Sequence, residues 1–481
     1  MKRTLLTYVL LLGLVCSPQR ASSQEIYDWE AWRQSRNIAG LSALSSPRTM
    51  IAGKTAASSA ELLGGYTSGG FHGGSEAQKL WQAGAKVETE VHLPSWLLTG
   101  NLSFVRQSGD KMCGSLFTQP GYFPFDVLEF APGRKTLQTY AAGGGLAWQS
   151  DSPWILGGTL RFEGTSSSKR EAFRHTTHRV DLEAVPSVLY DENDWRIGAS
   201  YIFRTISESV RAGQSGSDDA VFLDKGMMYG FYQAWDGTVR EITHGFAVQG
   251  ELGDFLYGDA EWLFSRGSAG EKGDTGFRFP GRAFSAQLIY TLQRPSGVHA
   301  FRLGYEGSRQ ELEDDNSDKL YERRGFSVGP SWRLYRGNGM EFGAKFMIIY
   351  GKDLGSILPS FLDLDESTAC EFEADAVLPL GRFQLSAGML YGRLLGDHRH
   401  VIDKENEDDS PFRLEDWWDR EQEVSDATRL GGSFAIRYDL PLRSIEGLFL
   451  EASCSFVHAF GIELLPGADR QETLFTLGYE F

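Results

Sequence analysis

The final ten residues of the chain read Glu472-Thr473-Leu474-Phe475-Thr476-Leu477-Gly478-Tyr479-Glu480-Phe481, with polar and apolar positions in alternation. Side chains of a β-strand point to opposite faces with a period of two. One face therefore carries Thr473, Phe475, Leu477, Tyr479 and Phe481. The opposite face is polar or small, with Leu474 as the one exception. The pattern predicts a two-faced strand that continues to the terminal aromatic residue.

A terminal aromatic residue on such a strand resembles the carboxyl-terminal signature of bacterial outer-membrane β-barrels. Tyr479 and Phe481 carry this resemblance. It implies that the barrel assembly machinery recognises the chain during insertion, and that outer-membrane lipid and lipopolysaccharide surround the folded protein.

The amino terminus predicts export. A basic pair, Lys2-Arg3, precedes a short apolar run at residues 5–15 and small residues at 21–23. This is the order of a cleaved signal peptide, and the apolar run is too short to span a bilayer as a helix. Cys16 lacks the small preceding residue that lipidation requires. We expect residues 1–23 to be a signal peptide, with cleavage before Gln24.

The composition excludes several functional classes. No apolar run downstream of residue 23 has the length of a membrane-spanning helix. The formal net charge of −17 argues against nucleic acid as a partner. The four cysteines show no zinc-site spacing, and the chain has no glycine-rich phosphate loop, so no cofactor is predicted. Frequent glycine (56 residues) and aromatic residues (13%) suit the packed strands and interfacial girdles of a membrane barrel.

Short turns divide the chain at regular intervals and separate alternating segments. Polar connections, mostly longer, lie between them, which is the asymmetry of periplasmic turns and extracellular loops. The predicted turns are residues 93–95, 151–153, 191–194, 253–254, 294–297, 336–339, 379–381 and 441–446.

The segments between these turns have apolar faces of the length that a tilted strand needs to cross a bilayer. In one of them, Trp262 and Phe264 alternate with Tyr257, Asp259 and Glu261. We therefore predict an all-β, transmembrane, antiparallel up-and-down β-barrel over residues 59–481. About 18 strands are expected, and 16 is the next count because the first strand is rich in glycine. A soluble β-protein of two or more domains is the competing interpretation.

Residues 24–58 do not alternate. Ser35-Arg36-Asn37-Ile38-Ala39-Gly40-Leu41 resembles the amino-terminal start of the long-chain fatty-acid channel family, with Ile38 in place of proline. The resemblance implies a segment that folds into the barrel lumen. A periplasmic tail and a disordered leader are the alternatives.

The strand pattern places both signs of charge on the face that looks into the barrel. Mixed signs favour local ion pairs, whereas a charge-selective pore would show one dominant sign. A substrate path through the same lumen stays open as a hypothesis. The pore candidates among the charged residues are Arg161, Arg196, Arg204 and Glu261.

The connection at residues 109–135 is unusually apolar for a loop. Its aromatic residues include Phe117, Tyr122, Phe123 and Phe125. Such a loop avoids water by folding into the barrel as a constriction, by capping the mouth, or by docking on a partner protein; we favour the constriction. The stretch through residues 133–136 resembles a block of an outer-membrane barrel family of unassigned function.

The connection at residues 394–427 is acidic and contains Trp417 and Trp418. Paired tryptophans beside carboxylates can stack on sugar rings or bind a partner. We favour a short extracellular helix whose tryptophans pack on the barrel rim.

Two histidine pairs raise the hypothesis of catalysis. His175 and His178 form one pair, and His398 and His400 form the other; both pairs lie near predicted extracellular strand ends. Each is a candidate general base or metal pair. The leading prediction is nevertheless a channel or transporter for a small solute. A non-conducting barrel within a larger uptake or secretion complex is the first alternative, and a membrane hydrolase the second.

Overall fold

The computed structural model describes most of the chain after residue 57. The described residues are 58–93, 95–149, 152–170, 173–192, 194–212, 221–224, 230–233, 235–253, 255–271, 276–294, 296–314, 317–336, 339–357, 361–396, 399–401, 414–441 and 447–480. The predicted signal peptide, the segment 24–57 and Phe481 lie outside them.

Long strands form the wall of the barrel. They are β1 (Ser59–Gly69), β2 (Lys79–Leu93), β3 (Trp96–Ser115), β4 (Asp126–Gln149), β5 (Trp154–Lys169), β6 (His175–Asp191), β7 (Trp195–Ala212), β10 (Gly237–Leu252), β11 (Leu256–Glu271), β12 (Phe277–Arg294), β13 (Gly297–Asp314), β14 (Ser317–Tyr335), β15 (Glu341–Ile357), β16 (Phe361–Leu380), β17 (Phe383–Leu394), β19 (Thr428–Asp439), β20 (Leu448–Phe460) and β21 (Asp469–Glu480). Three short strands are β8 (Val221–Asp224), β9 (Gly230–Gln233) and β18 (Arg399–Val401), and the helix α1 spans Leu414–Asp426.

The first and last strands close the barrel. β1 pairs antiparallel with β2 on one side and with β21 on the other. The pairing with β21 runs from Ser59↔Glu480 to Gly69↔Arg470. The glycine-rich first strand therefore belongs to the wall, and the barrel has 18 strands rather than 16. All eight predicted turns fall between consecutive paired strands. The end of the barrel that carries these turns is called the turn end, and the opposite end the loop end.

The two faces of the wall differ as the alternation predicts. On β10, Val239, Glu241 and Ala247 are buried toward the lumen, whereas Ile242 and Phe246 are exposed on the outside. The same alternation on β11 places Trp262 and Phe264 outward and Tyr257 on the lumen side. A continuous apolar exterior over a polar interior is the arrangement of a barrel that lies in lipid. Among the described residues, no helix has the length and apolar character to cross a membrane.

β3 and β4 extend farther than the sequence predicted, because residues 109–135 were expected to be a loop. Their backbones pair as far as Ser115↔Leu128. The register is irregular between Gly109 and Gly114, and Pro132 lies in β4 opposite this stretch, where a missing backbone N–H costs least. The predicted loop was therefore too wide: only residues 116–125, called here the inner loop, connect the two strands.

Helix α1 packs across the loop end. Val424 contacts Phe71 and Leu465 in a small apolar cluster that includes Ala427 and Ala459. The Glu423 carboxylate accepts hydrogen bonds from the main-chain N–H groups of residues 463–465. The helix is thereby held to the connections β1–β2 and β20–β21.

Candidate functional site in the barrel lumen

The inner loop lies inside the barrel, where its aromatic side chains form a dry core with the wall. Phe117, Phe123 and Phe125 are each at most 1% exposed. Phe125 contacts Phe277 edge-on at 4.6 Å between ring centroids. Burial of each such side chain contributes roughly 1.5–3 kcal/mol. The other core residues come from the inner loop, β4, β8, two connections between strands, and the wall strands β7, β10, β11, β12 and β13. They are Leu116, Val127, Phe173, Ile206, Val210, Val221, Leu223, Trp235, Val239, Ala269, Phe277, Phe279 and Leu312.

Hydrogen bonds from the wall fix the path of the inner loop. Thr177 Oγ1 donates to the carbonyl of Leu116 at 2.8 Å, and the Thr118 N–H donates to Glu208 Oε1 at 2.6 Å. Buried main-chain groups that leave a strand must find such partners. Farther along, β4 pairs with β8 through Val127↔Leu223, so a second short hairpin supports the loop.

Tyr122 links the aromatic core to a charged network. The Arg179 guanidinium carbon lies 4.4 Å from the centroid of its ring, and that of Arg204 lies 5.3 Å away. The hydroxyl donates to Glu241 Oε1 at 3.4 Å. Burial raises the pKa of Tyr122, and the negative charge of Glu241 raises it further. The tyrosine is therefore neutral and shared between two cations, a favourable cation–π geometry in a desolvated place.

The two arginines are themselves ion-paired. Arg179 Nη1 lies 3.2 Å from Glu208 Oε2, and its Nη2 lies 3.5 Å from Asp181. Arg204 donates through Nε to Asp181 at 2.9 Å and through Nη2 to the second oxygen of the same carboxylate. The network thus joins β6, β7 and β10 to the inner loop.

A cavity of about 380 Å³ opens beside the inner loop. Gly121, Tyr122 and Pro124 of the loop form part of its lining. Strand residues that face the cavity from the lumen side include Glu183, Ile202, Arg204, Glu241, Thr243, Leu263, Ser265, Ser308, Gln310, Tyr321, Arg323 and Asp353. Its volume lies in the range of small-molecule pockets, and its wall mixes apolar, hydroxyl and charged groups of both signs.

The other predicted pore residues also face the lumen and form local pairs. Arg161 lies 3.8 Å from Glu183. Arg196, near the turn end, pairs with Asp191 at 2.7 Å and with Glu251 at 3.3 Å. Glu261 lies on the lumen face of β11. Of the predicted residues, Arg204 contacts the inner loop through Tyr122, and Phe117, Tyr122, Phe123 and Phe125 all belong to that loop. Arg161, Arg196 and Glu261 lie elsewhere along the lumen.

Sequence reasoning missed Arg179, Asp181, Glu208 and Glu241, which hold the inner loop. The signal was present, because Arg179, Asp181 and Glu183 occupy three consecutive lumen positions of β6, and the lumen faces of β7 and β10 also carry charged residues. Their importance depends on the loop that contacts them, and this contact joins residues far apart in sequence.

The second predicted site forms a cap rather than a pocket. The helical interpretation of residues 414–426 is confirmed. Trp417 packs edge-on against Phe130 at 6.1 Å between ring centroids, and Glu421 Oε1 accepts a hydrogen bond from the Ser75 N–H at 3.2 Å. Burial, with the nearby charge of Glu76, raises the pKa of Glu421 to about 7.

His175 and His178 do not form the pair that catalysis or metal binding requires. His175 faces the lumen side and is buried, whereas His178 is exposed on the outer face of the same strand. The two residues are three positions apart on one strand, and an odd separation puts side chains on opposite faces, so the two rings point apart. His398 lies outside the described residues, and for His400 only the backbone is described. No cluster of metal-binding side chains occurs among the residues that the structure describes.

Comparison with known families identifies the chain. A family model described as a family of unknown function, DUF6850, matches residues 51–481. The chain belongs to this family. The resemblance of residues 109–136 to a barrel family of unassigned function is thereby confirmed. No curated protein sequence matches this DUF6850 member.

Solved structures similar to this DUF6850 member share little sequence with it. The ferric citrate transporter FecA, in its unliganded form, is 9% identical, with 88% of this chain and 78% of FecA covered and a TM-score of 0.46. OccK3 from Pseudomonas aeruginosa is 11% identical, with 89% and 95% covered and a TM-score of 0.36. CdiB from Acinetobacter baumannii is 10% identical with a TM-score of 0.35; 88% of this chain matches it and spans 60% of the length of CdiB.

Proposed function

We propose that this protein is an outer-membrane channel or transporter for a small solute, and that the inner loop restricts its pore. The observation that carries the proposal is the burial of Phe117, Phe123 and Phe125 inside the barrel, beside a cavity lined by polar and charged groups. A loop anchored in the lumen reduces the cross-section available to a solute, and mixed charges along the wall suit a small polar molecule better than an ion of one sign.

The location follows from the same proposal. The apolar exterior requires lipid, and the signal peptide expected at residues 1–23 would direct export. In this orientation the turn end faces the periplasm and the loop end faces the outside. Residues 24–58 would begin at the periplasmic side, where they could enter the lumen as a second restriction.

Single-channel conductance in planar bilayers tests the proposal. The wild-type barrel is compared with a variant in which residues 117–124 are replaced by a Gly-Ser-Gly linker. We expect small, steady openings from the wild type and a several-fold larger conductance from the variant. A matched control removes residues 402–410 from another connection at the loop end and should conduct as the wild type does.

A non-conducting barrel within a larger surface complex is the second candidate. The dry aromatic core at the loop end favours this candidate, because side chains that fill the lumen there leave less room for a solute to pass. Silence of both the wild type and the linker variant would contradict the channel and favour this candidate. Co-purification of a stoichiometric partner protein from the membrane would then identify the complex.

A further inference from the structure

Four adjacent strands carry a one-sided charge pattern on the outer face of the barrel. The outward positions of β7, β10, β11 and β12 contain no acidic residue, although the chain as a whole has a formal net charge of −17. All their acids, including Glu208, Glu241 and Asp259, are on lumen positions. At the loop end the outward positions instead carry arginines. The arginine patch consists of Arg240, Arg266, Arg278 and Arg282, all exposed.

Strand register brings these four side chains together. Arg240 and Arg278 both align with Ser268, from the two sides of β11. Neighbouring strands lie about 4.8 Å apart, so the backbones of these two arginines are separated by about 10 Å. Arg266 follows two positions below Ser268 on the same face of β11. Arg282 of β12 aligns with Phe264, which is the next outward residue of β11 below Arg266.

Among the described residues, the patch has few competing anions. None of its four guanidinium groups forms an ion pair or hydrogen bond with a side chain among the described residues. The nearest outward acids lie on β13: Glu313 aligns with Arg278, and Glu311 lies between the partners of Arg278 and Arg282. By contrast, the outward arginines of β13 and β14 are occupied: Arg309 lies 3.1 Å from Glu311, and Arg324 lies 3.3 Å from Glu322. Clustered like charges repel, so an unpaired cluster favours an external anion.

The position of the patch selects the kind of anion. Immediately below the arginines, on the same strands, lie Ile242, Phe264 and Phe284, and then Phe246 and Trp262. These are the upper part of the apolar exterior. A ligand at this boundary places an anionic group against the guanidinium groups and an apolar body against the aromatic side chains. A soluble polyanion would gain nothing from the second contact.

We propose that the arginine patch binds the phosphorylated sugar headgroup of an outer-leaflet glycolipid, with the chemistry of lipopolysaccharide. Arginine is the suited cation, because its planar guanidinium binds phosphate oxygens in a bidentate manner and loses little hydration. The acyl chains lie along the apolar face below. The proposal rests on the membrane orientation given under the proposed function and does not depend on conduction.

Lipid binding to the purified, folded barrel in detergent tests the proposal. The probes are a fluorescently labelled rough lipopolysaccharide with intact lipid A phosphates, and the same molecule after enzymatic removal of those phosphates. We expect saturable binding of the first probe and at least tenfold weaker binding of the second. In R266Q/R278Q, the affinity for the phosphorylated probe should fall by roughly tenfold or more.

The control variant R134Q/R393Q removes two outward arginines at the same end, on β4 and β17, which lie several strands away from the patch on either side, and should bind as the wild type does. Equal affinity for both probes would overturn the proposal, as would equal loss in the two variants. The fold of each variant is checked by heat-modifiable migration in gels. Conductance is measured separately. A barrel that binds the phosphorylated lipid but does not conduct would contradict only the proposed channel function. A barrel that conducts but binds both lipid probes equally would contradict only the proposed lipid binding by the arginine patch.

Discussion

The ammonium group of Lys169 lies 2.5 Å from Oε1 of Glu129, and neither side chain is more than 3% exposed. Lys169 is at the loop end of β5, and Glu129 is near the start of β4. The same ammonium group donates to the main-chain carbonyls of Met112 and Ala131. The pair therefore ties β5 to the irregular stretch of β3 and to the base of the inner loop.

Removal of the cation alone should destabilise the barrel. K169M leaves the Glu129 carboxylate buried without its ion-pair partner, and we expect a loss of about 3–5 kcal/mol in the free energy of unfolding. The double variant K169M/E129Q should recover much of this loss, because no buried charge is left. Denaturant unfolding in micelles measures both. R134M, which breaks the exposed pair with Asp110, serves as control; a loss there equal to that of K169M would contradict the explanation.

Arg204 should set the ion preference of the opened lumen. Without its guanidinium, the ion-pair partner Asp181 and the cavity acids Glu183 and Glu241 are less compensated. In the linker variant of the inner loop, R204Q should therefore shift selectivity toward cations. The reversal potential in a salt gradient reports the change, and R134Q on the outer face should not alter it. A shift toward anions would show that these carboxylates do not face the conducting path.

The contact between α1 and the β1–β2 connection should weaken as the pH rises. The pKa of Glu421 is about 7 in the folded protein, above its ordinary value of 4.5, so the protonated form favours the docked state. This contribution is complete below about pH 4.5 and is lost as the pH rises through about 7. Hydrogen-exchange protection of residues 414–426, corrected for intrinsic rates, should fall accordingly. E421Q should keep its hydrogen-exchange protection at high pH. The control D419N, at an exposed site, should behave as the wild type does. If the protection of the wild type does not change between pH 5 and 8, protonation of Glu421 does not control the contact.

The carboxyl-terminal aromatic residue should matter for assembly more than for stability. Deletion of Phe481 is expected to reduce the fraction of barrel inserted in the outer membrane, since the predicted assembly signal consists of Tyr479 and Phe481. Heat-modifiable migration after expression measures that fraction. L477A changes another outward residue of β21 and is the control. Normal insertion of the deletion variant would show that Phe481 is not part of an assembly signal.

Most of the wall could be predicted from sequence because strand alternation is a local property. A side chain at a strand position faces lipid or lumen according to parity alone, so Trp262 and Glu261 were placed on opposite faces without any knowledge of neighbours. The turns were equally readable, since glycine, proline and aspartate interrupt the alternation. The strand count was settled by one non-local pairing, that of β1 with β21.

The bounds and contacts of the inner loop could not be read in the same way. The apolar character of residues 109–135 suggested burial, but backbone pairing extends β3 and β4 through much of that stretch. The anchors Thr177 and Glu208 are ordinary polar residues in sequence, and become important only because the loop reaches them.

By itself, the sequence determined the two-faced strands of the wall and the turns between them, since the period of two and the spacing of turns act over a few residues. Only the tertiary structure decided what occupies the lumen and which charges meet. Tyr122 between Arg179 and Arg204, and the arginine patch across β10, β11 and β12, both arise from strand register. Register depends on pairing between distant segments, and a shift of one residue would move every side chain of a strand to the other face.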